Sequence, residues 1–266
     1  MTATSSDQIT FIGTAGARIM VTRQLLPSGG AWLNLGGTEI LIDPGPGCLV
    51  HTVRRKLSPA KLSAIILSHK HLDHSGDINV MIEAMTDGGF KKRGEVFAPG
   101  DALGSEPAVF SYLRDFPERI EVLEEGGSYS VGDVSFTTPV RHIHGAETYG
   151  FVFRTPRQQF SWITDTKYFE GLAQYYKSNV VIINVVRLQS GAPIDHLSLP
   201  DARQIIAEIK PQAAILTHFG MTMWRAGIDD LAARLSQETG TMVIGSKAGM
   251  TFDLNALCIV PKKSSL

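Results

Sequence analysis

The stretch AIILSHKHLDHSGD, residues 64–77, joins a short apolar run to the pattern HxHxDH. Six consecutive residues hold four candidate metal ligands: His69, His71, Asp73 and His74. Imidazole and carboxylate groups packed this closely are costly to bury unless a cation compensates them. The apolar run predicts a buried strand, so the stretch predicts a metal site at the end of a strand. His and Asp side chains suit zinc, manganese or iron.

The local geometry divides these candidates into two sets. His69 and His71 are alternate residues and can point to the same side of an extended chain, whereas Asp73 and His74 follow where the chain turns into a helix. One metal ion cannot easily take all four. We therefore expect two adjacent divalent cations, with further ligands supplied by other parts of the chain.

Further candidates occupy one kind of position, directly after an apolar run. They are His142 and His144 after residues 134–140, Asp165 after 161–164, and His218 after 213–217. Strand ends are where loops converge at one edge of the sheet in α/β proteins. We expect these side chains to meet the HxHxDH segment there.

The rest of the chain alternates short apolar runs with amphipathic segments. Helices are predicted over residues 78–85, 202–209 and 228–235 from i, i+3, i+4, i+7 spacing, the second opened by a capping box of Ser198 and Asp201. Strands are predicted at 9–12, 39–42, 64–67, 134–136, 161–164, 180–185 and 213–217. This alternation favours an α/β fold with mixed sheets. Because no linker, repeat or charge block divides the chain, we treat residues 1–266 as a single domain.

The amino-acid composition limits the kinds of partner that the chain is expected to bind. The chain has 25 Lys+Arg against 26 Asp+Glu, so there is no overall positive field for long nucleic acid, which is therefore an unlikely partner. No apolar run approaches the roughly 18 to 20 residues that span a bilayer, so no membrane association is expected. Cys48 and Cys258 form no CxxC pair, which argues against a disulfide framework and a cysteine-based zinc site. We expect a cytoplasmic protein.

The order of these motifs resembles the metallo-β-lactamase superfamily over about residues 9–218. The resemblance implies a four-layer αβ/βα sandwich with two mixed β-sheets and a dinuclear metal site. It also implies a ligand set: His69, His71 and His144 for one ion, Asp73, His74 and His218 for the other, and Asp165 bridging them.

Two details point to the tRNase Z and PhnP-like phosphodiesterase branch. The segment HGAETYGF, residues 144–151, resembles the His-to-Gly-aromatic spacing of that branch, so His144 is preferred over His142 as the ligand. His142 then has a structural or supporting role that the sequence leaves open. Asp43, in the segment IDPG at 42–45, resembles the first motif of the superfamily. Its implied role is to accept a hydrogen bond from a ligand imidazole.

The implied chemistry is hydrolysis by a hydroxide that bridges two divalent ions, zinc in the first place with manganese or iron as alternatives. Asp73 and His196 are the implied catalytic residues. The segment DHLS, 195–198, resembles the phosphodiesterase branch, in which a histidine here stabilises the phosphate and protonates the leaving oxygen. Arg187, which ends the apolar run 180–186, is the candidate for binding a phosphate oxygen beside His196.

The expected substrate is a small phosphodiester, cyclic or nucleotide-derived. Only 20 residues separate His144 from Asp165, which leaves no room for the long arm of tRNase Z. The cysteine-rich zinc site of PhnP-like enzymes is also missing, since residues 13–30 contain no cysteine.

Other interpretations stay open. The same dinuclear site could serve a lactonase or thioesterase. A di-iron oxygen- or nitric-oxide-reducing protein and a non-catalytic scaffold are further alternatives. The residues Met221, Met223 and Trp224 would line the pocket mouth, pack in the core or form a homodimer contact.

Overall fold

The computed structural model describes residues 6–191 and 193–261, so residues 1–5, 192 and 262–266 of the predicted domain lie outside the described part. The strands are β1 (Gln8–Phe11), β2 (Ala31–Leu35), β3 (Thr38–Ile42), β4 (Ala64–Ile66), β5 (Glu95–Pro99), β6 (Arg119–Leu123), β7 (Gly127–Val131), β8 (Val134–Thr138), β9 (Phe151–Arg154), β10 (Gln159–Ile163), β11 (Val180–Asn184), β12 (Ala213–Thr217), β13 (Met242–Gly245), β14 (Thr251–Asp253) and β15 (Cys258–Ile259). The helices are α1 (Arg18–Thr22), α2 (Cys48–Arg54), α3 (Leu72–Ser75), α4 (Ile78–Met85), α5 (Leu172–Tyr175), α6 (Leu199–Ile209), α7 (Met221–Arg225) and α8 (Ile228–Thr239).

The strands form two mixed sheets. The first has the order β15-β14-β1-β2-β3-β4-β5-β6, in which β3 to β6 are parallel and the other pairs antiparallel. The second has the order β13-β12-β11-β10-β9-β8-β7, in which β10 to β13 are parallel. Parallel neighbours need crossover connections, and helices α2 to α8 lie in those connections.

The buried hydrophobic residues form three clusters. Between the sheets, residues such as Ile40, Phe97, Phe153 and Ile182 are fully buried. A second cluster packs α5, α6 and α8 against the outer face of one sheet, and a third packs α2 and α4 against the other. Helix, sheet, sheet and helix are therefore stacked in a four-layer αβ/βα sandwich, which confirms the predicted fold class.

The predicted helices and strands are all present, and the strand boundaries differ by at most two residues. The capping box of α6 is confirmed. The Ser198 hydroxyl accepts a hydrogen bond from the Asp201 N–H, and the Asp201 carboxylate accepts one from the Ser198 N–H. The sequence analysis missed several strands, among them β2, β5 and β9.

Both cysteines are free, Cys48 in the core and Cys258 at the surface. Among the described residues, no helix is long and apolar enough to cross a membrane.

Candidate metal centre

The two sheets bring their parallel strand ends together at one edge of the sandwich. Asp43 follows β3 and His69 lies three residues beyond β4, in the first sheet. Asp165 and His218 follow β10 and β12, in the second. The carboxyl ends of parallel strands share an edge, so residues far apart in sequence converge there.

Three histidines form a first ligand group. One ring nitrogen from each of His69, His71 and His144 lies within 4.8 Å of the others. The closest pair is His144 Nε2 and His71 Nδ1, 3.0 Å apart. His144 Nδ1 donates to the carbonyl of Asp195 at 2.8 Å, which leaves its Nε2 lone pair pointing into the group. The group therefore offers three ring nitrogens that lie close together.

A second ligand group combines two carboxylates and two imidazoles: Asp73, His74, Asp165 and His218. Asp165 Oδ2 lies 3.3 Å from His74 Nε2, and Asp165 Oδ1 lies 3.2 Å from His218 Nδ1. The same carboxylate is 3.9 Å from His69 Nε2 of the first group. The Asp165 carboxylate thus lies within 4 Å of a ring nitrogen in each group.

Several of these ligand atoms are buried without hydrogen-bond partners among the described residues. They are His69 Nε2, His74 Nε2, Asp165 Oδ2 and both ring nitrogens of His218. Native proteins leave few buried polar atoms unsatisfied, and each such atom needs an explanation. Imidazole nitrogens and carboxylate oxygens are ligands of divalent cations such as zinc, so these residues fit a metal site.

The electrostatics of the second group favour bound cations. Burial disfavours the charged form of His74, but the carboxylates of Asp165, Asp73 and Asp43 outweigh it and hold its pKa well above the usual range. Burial would raise the pKa of Asp165, but the neighbouring histidines, His218 first, hold it well below its usual range. A histidine ligand must be neutral, so metal binding would displace the proton of His74.

Asp43 fixes the orientation of His74. Its Oδ2 accepts hydrogen bonds from His74 Nδ1 at 2.8 Å and from Ser68 Oγ at 2.7 Å, while its Oδ1 accepts one from Ser68 N at 2.6 Å. Once metal binding displaces the other proton of the ring, the proton held on Nδ1 leaves Nε2 of His74 as the free lone pair. Such a contact sets the tautomer and ring angle of a ligand imidazole.

His142 lies outside both groups. Its Nε2 is 2.6 Å from the hydroxyl of Tyr176, and its Nδ1 is 3.1 Å from the backbone carbonyl of Asp165. The side chain is fully buried, and burial lowers the pKa of His142 to about 4. His142 therefore supports the backbone that carries Asp165.

His196 lies next to the candidate metal centre, in a loop that Arg187 holds by a hydrogen bond. Its Nδ1 lies 3.4 Å from Asp165 Oδ2, and its ring centroid is 5.0 Å from that of His144. Burial lowers the pKa of His196 to about 4, against the opposing charge of Asp165. Arg187 Nη2 donates to the His196 carbonyl at 2.6 Å. The guanidinium thus holds this loop, and its contact with a substrate stays a prediction.

The sequence analysis missed Asn184, which ends β11. Its Nδ2 donates to Asp165 Oδ1 at 2.9 Å, and its Oδ1 accepts from Trp162 Nε1 at 3.0 Å. One signal could have found it, because Asn184 is the one polar residue inside the apolar run 180–186.

His218 is packed against a glycine loop. Its φ of 58° lies in the left-handed region, which non-glycine residues rarely adopt. A Cβ at Gly16 would lie 2.3 Å from the His218 carbonyl oxygen and 2.4 Å from its Nδ1. Only glycine leaves room here for the backbone and ring of His218.

Comparisons with known proteins identify relatives along the chain. The model of the Beta-lactamase superfamily domain matches residues 38–219. An uncharacterised protein of Methanocaldococcus jannaschii is 30% identical over 257 residues, which cover 93% of this chain and 95% of that protein. A ribonuclease Z of Methanosarcina mazei is 35% identical over 127 residues, which cover 48% of this chain and 40% of that enzyme.

Solved structures share the fold at low sequence identity. YhfI from Bacillus subtilis, a metallo-β-lactamase fold protein, has a TM-score of 0.78 and 19% identity, covering 94% of this chain and 100% of YhfI. A diphosphatase of the PhnP family has a TM-score of 0.69 and 17% identity, covering 96% of this chain and 100% of that one. With the matched family model and the His/Asp groups at the strand ends, these findings show that the chain belongs to the metallo-β-lactamase superfamily of hydrolases.

Proposed function

We propose that the protein is a phosphodiesterase that uses two divalent cations to hydrolyse a small phosphodiester. The observation that carries the proposal is His196, an additional imidazole held 3.4 Å from Asp165 beside both ligand groups. The similarity to a ribonuclease Z and to a diphosphatase of the PhnP family supports phosphate as the group acted upon.

The residues that would hold the cations are the two groups described above. His69, His71 and His144 would hold one ion, and Asp73, His74 and His218 the other, with Asp165 between them. The nitrogen-rich set suits zinc best, with manganese or iron as alternatives. When bound, such cations supply Lewis acidity that lowers the pKa of a water molecule and polarises a phosphoryl oxygen.

Asp73 would orient the attacking water. Burial opposes its charge, but His74 and His218 hold its pKa far below the usual range, so the carboxylate stays ionised. Its side chain is 16% exposed, more than that of Asp165, so it borders the cleft. An ionised carboxylate at this place accepts a hydrogen bond from water and so orients it.

His196 would donate to the phosphate and to the leaving oxygen. With a pKa of about 4, the ring is neutral at pH 7 and still carries one N–H donor. An anionic phosphate next to the ring raises the pKa of His196, so substrate binding itself favours uptake of the proton that the leaving oxygen needs. The Arg187 contact to the His196 carbonyl keeps this ring in place.

The connection between the ligands favours a small substrate. The 20 residues between His144 and Asp165 contain β9, β10 and their turns, with no inserted arm for a long nucleic acid. The nearly neutral net charge of −1 agrees with this interpretation.

The test is turnover of competing substrate classes by zinc- and manganese-loaded protein. We expect release of product from bis-p-nitrophenyl phosphate and 2′,3′-cyclic nucleotides, but not from acyl-lactones or thioesters. His196→Ala should lower kcat by about 10²- to 10⁴-fold. His51→Ala, which removes a histidine of α2 outside the ligand groups, should leave kcat unchanged.

Turnover of a lactone or thioester alone would assign the alternative acyl hydrolase. Equal phosphodiesterase rates in His196→Ala and the unmodified protein would remove the role of His196.

A further inference from the structure

Ser246 lies directly after β13, the fourth of the parallel strands in the second sheet. Strands β10, β11 and β12 end next to Asp165, Asn184 and His218, all at the metal centre. Ser246 follows β13 in the same way, and its N–H donates to the carbonyl of Leu216 at 2.8 Å. The residue is only 2% exposed, and its hydroxyl has no hydrogen-bond partner in the described part of the chain. A buried hydroxyl in this state calls for a ligand or a bound water.

Ser246 lines a cavity of about 350 Å³ that also contacts Thr14, Leu26, Trp224 and Ile228. This volume lies in the range of pockets that bind small molecules. Thr14 also lines the cleft that contains Asp73 and His218. The cavity and the metal centre therefore share Thr14 as a lining residue.

The walls of the cavity suit a flat ring with a polar edge. Trp224 is 40% exposed, whereas Trp32 and Trp162 are 2% and 4% exposed in the core. Its indole offers a stacking surface, and the Ser246 hydroxyl offers one hydrogen bond. An exposed ion pair of Lys247 and Asp229, 2.7 Å apart, lies at the cavity wall. A nucleobase stacks on aromatic side chains and uses its edge for hydrogen bonds.

We propose that this cavity binds the nucleobase of a nucleotide-derived phosphodiester whose phosphate lies at the metal centre. The inference rests on the proposed function, because the phosphate must be the group held by the ligand residues. It explains why Ser246 is buried without a partner and why Trp224 is exposed.

The test uses the zinc-loaded full chain and ligands that carry or lack a base. Adenosine and uridine should quench the tryptophan fluorescence in a saturable way, and ribose 5-phosphate should not, since Trp224 is the tryptophan that lines the cavity. Adenosine should also inhibit hydrolysis of 2′,3′-cyclic AMP competitively.

Variants measured by calorimetry locate the site. Trp224→Ala should weaken adenosine binding about 5- to 150-fold, the equivalent of the stacking of one base, while Trp224→Phe retains a stacking ring and should lose less. Ser246→Ala should weaken it about 2- to 10-fold. Phe90→Ala, at a side chain 92% exposed between α4 and β5, is the control and should bind as the unmodified protein does.

Three results would overturn the inference: no saturable nucleoside binding, equal affinity in Trp224→Ala, or non-competitive inhibition by adenosine. Hydrolysis of bis-p-nitrophenyl phosphate without nucleoside binding would refute the base site alone. Nucleoside binding without hydrolysis of any phosphodiester would refute the proposed function and leave the ring-binding cavity.

Discussion

Asp43→Asn tests whether the contact behind His74 controls metal binding. The substitution keeps the shape of the side chain and removes its charge. Asp43 accepts three hydrogen bonds, two from Ser68 and one from His74 Nδ1. An asparagine oxygen that still accepts from Ser68 N turns its NH₂ group towards His74 Nδ1. His74 must then carry its proton on Nε2, the atom that faces Asp165.

The expected loss follows from that tautomer. A proton on Nε2 of His74 competes with a cation for the same lone pair. Removing such a supporting carboxylate weakens metal binding by about 10- to 100-fold, or roughly 1.4 to 2.8 kcal/mol. Only the ion held by the group that contains His74 should be affected.

The assay is competition for zinc between the protein and a chromogenic chelator. The matched control is Asp77→Asn, because Asp77 is a carboxylate that accepts from the N–H groups of Gly47 and Leu49 at 3.2 and 3.0 Å. Its carboxylate has no hydrogen bond to a ligand residue within the described part of the chain. We expect weaker zinc binding in Asp43→Asn and unchanged binding in Asp77→Asn. Unchanged zinc affinity in Asp43→Asn, or an equal loss in both variants, would refute the reasoning.

Three further predictions concern packing, pH and capping. Gly16→Ala should lower the zinc content measured by mass spectrometry, because a Cβ 2.3 Å from the His218 carbonyl must displace that ligand, whereas Gly145→Ala, with nothing within 4 Å, should not. In metal-free protein, His142 has a pKa of about 4 when folded and 6.5 as its reference, so the unfolded chain takes up the proton first as the pH falls. The contribution of His142 to the free energy of unfolding is then present above pH 6.5 and is lost towards pH 4, by about 3 kcal/mol. Urea titrations at several pH values should show this fall in the free energy of unfolding, and His142→Gln should make the fall smaller. Ser198→Ala should lower the free energy of unfolding by about 1 kcal/mol in the same assay, and no change would argue against the capping box.

Local sequence was sufficient for the elements whose structure depends on neighbouring residues. The HxHxDH segment follows strand β4, and Asp73 and His74 lie in the first turn of α3, as the spacing predicted. The capping box of α6 was also readable, because both partners lie within three residues. Strand β5 was missed because its partners β4 and β6 lie far from it in the sequence. Strand β2 pairs with β3 across the turn Gly36–Gly37, a local hairpin signal that the sequence analysis overlooked.

The sequence alone determined the fold class, the HxHxDH segment and the recurrence of His and Asp after apolar runs. Only the tertiary structure decided which of these side chains meet. His144 points to His71 while His142 turns to Tyr176, and Asn184 joins the centre through Asp165. The direction of a side chain beyond a strand depends on the pairing and stacking of two sheets built from residues far apart in the chain. Periodicity over a few residues carries no information about that arrangement.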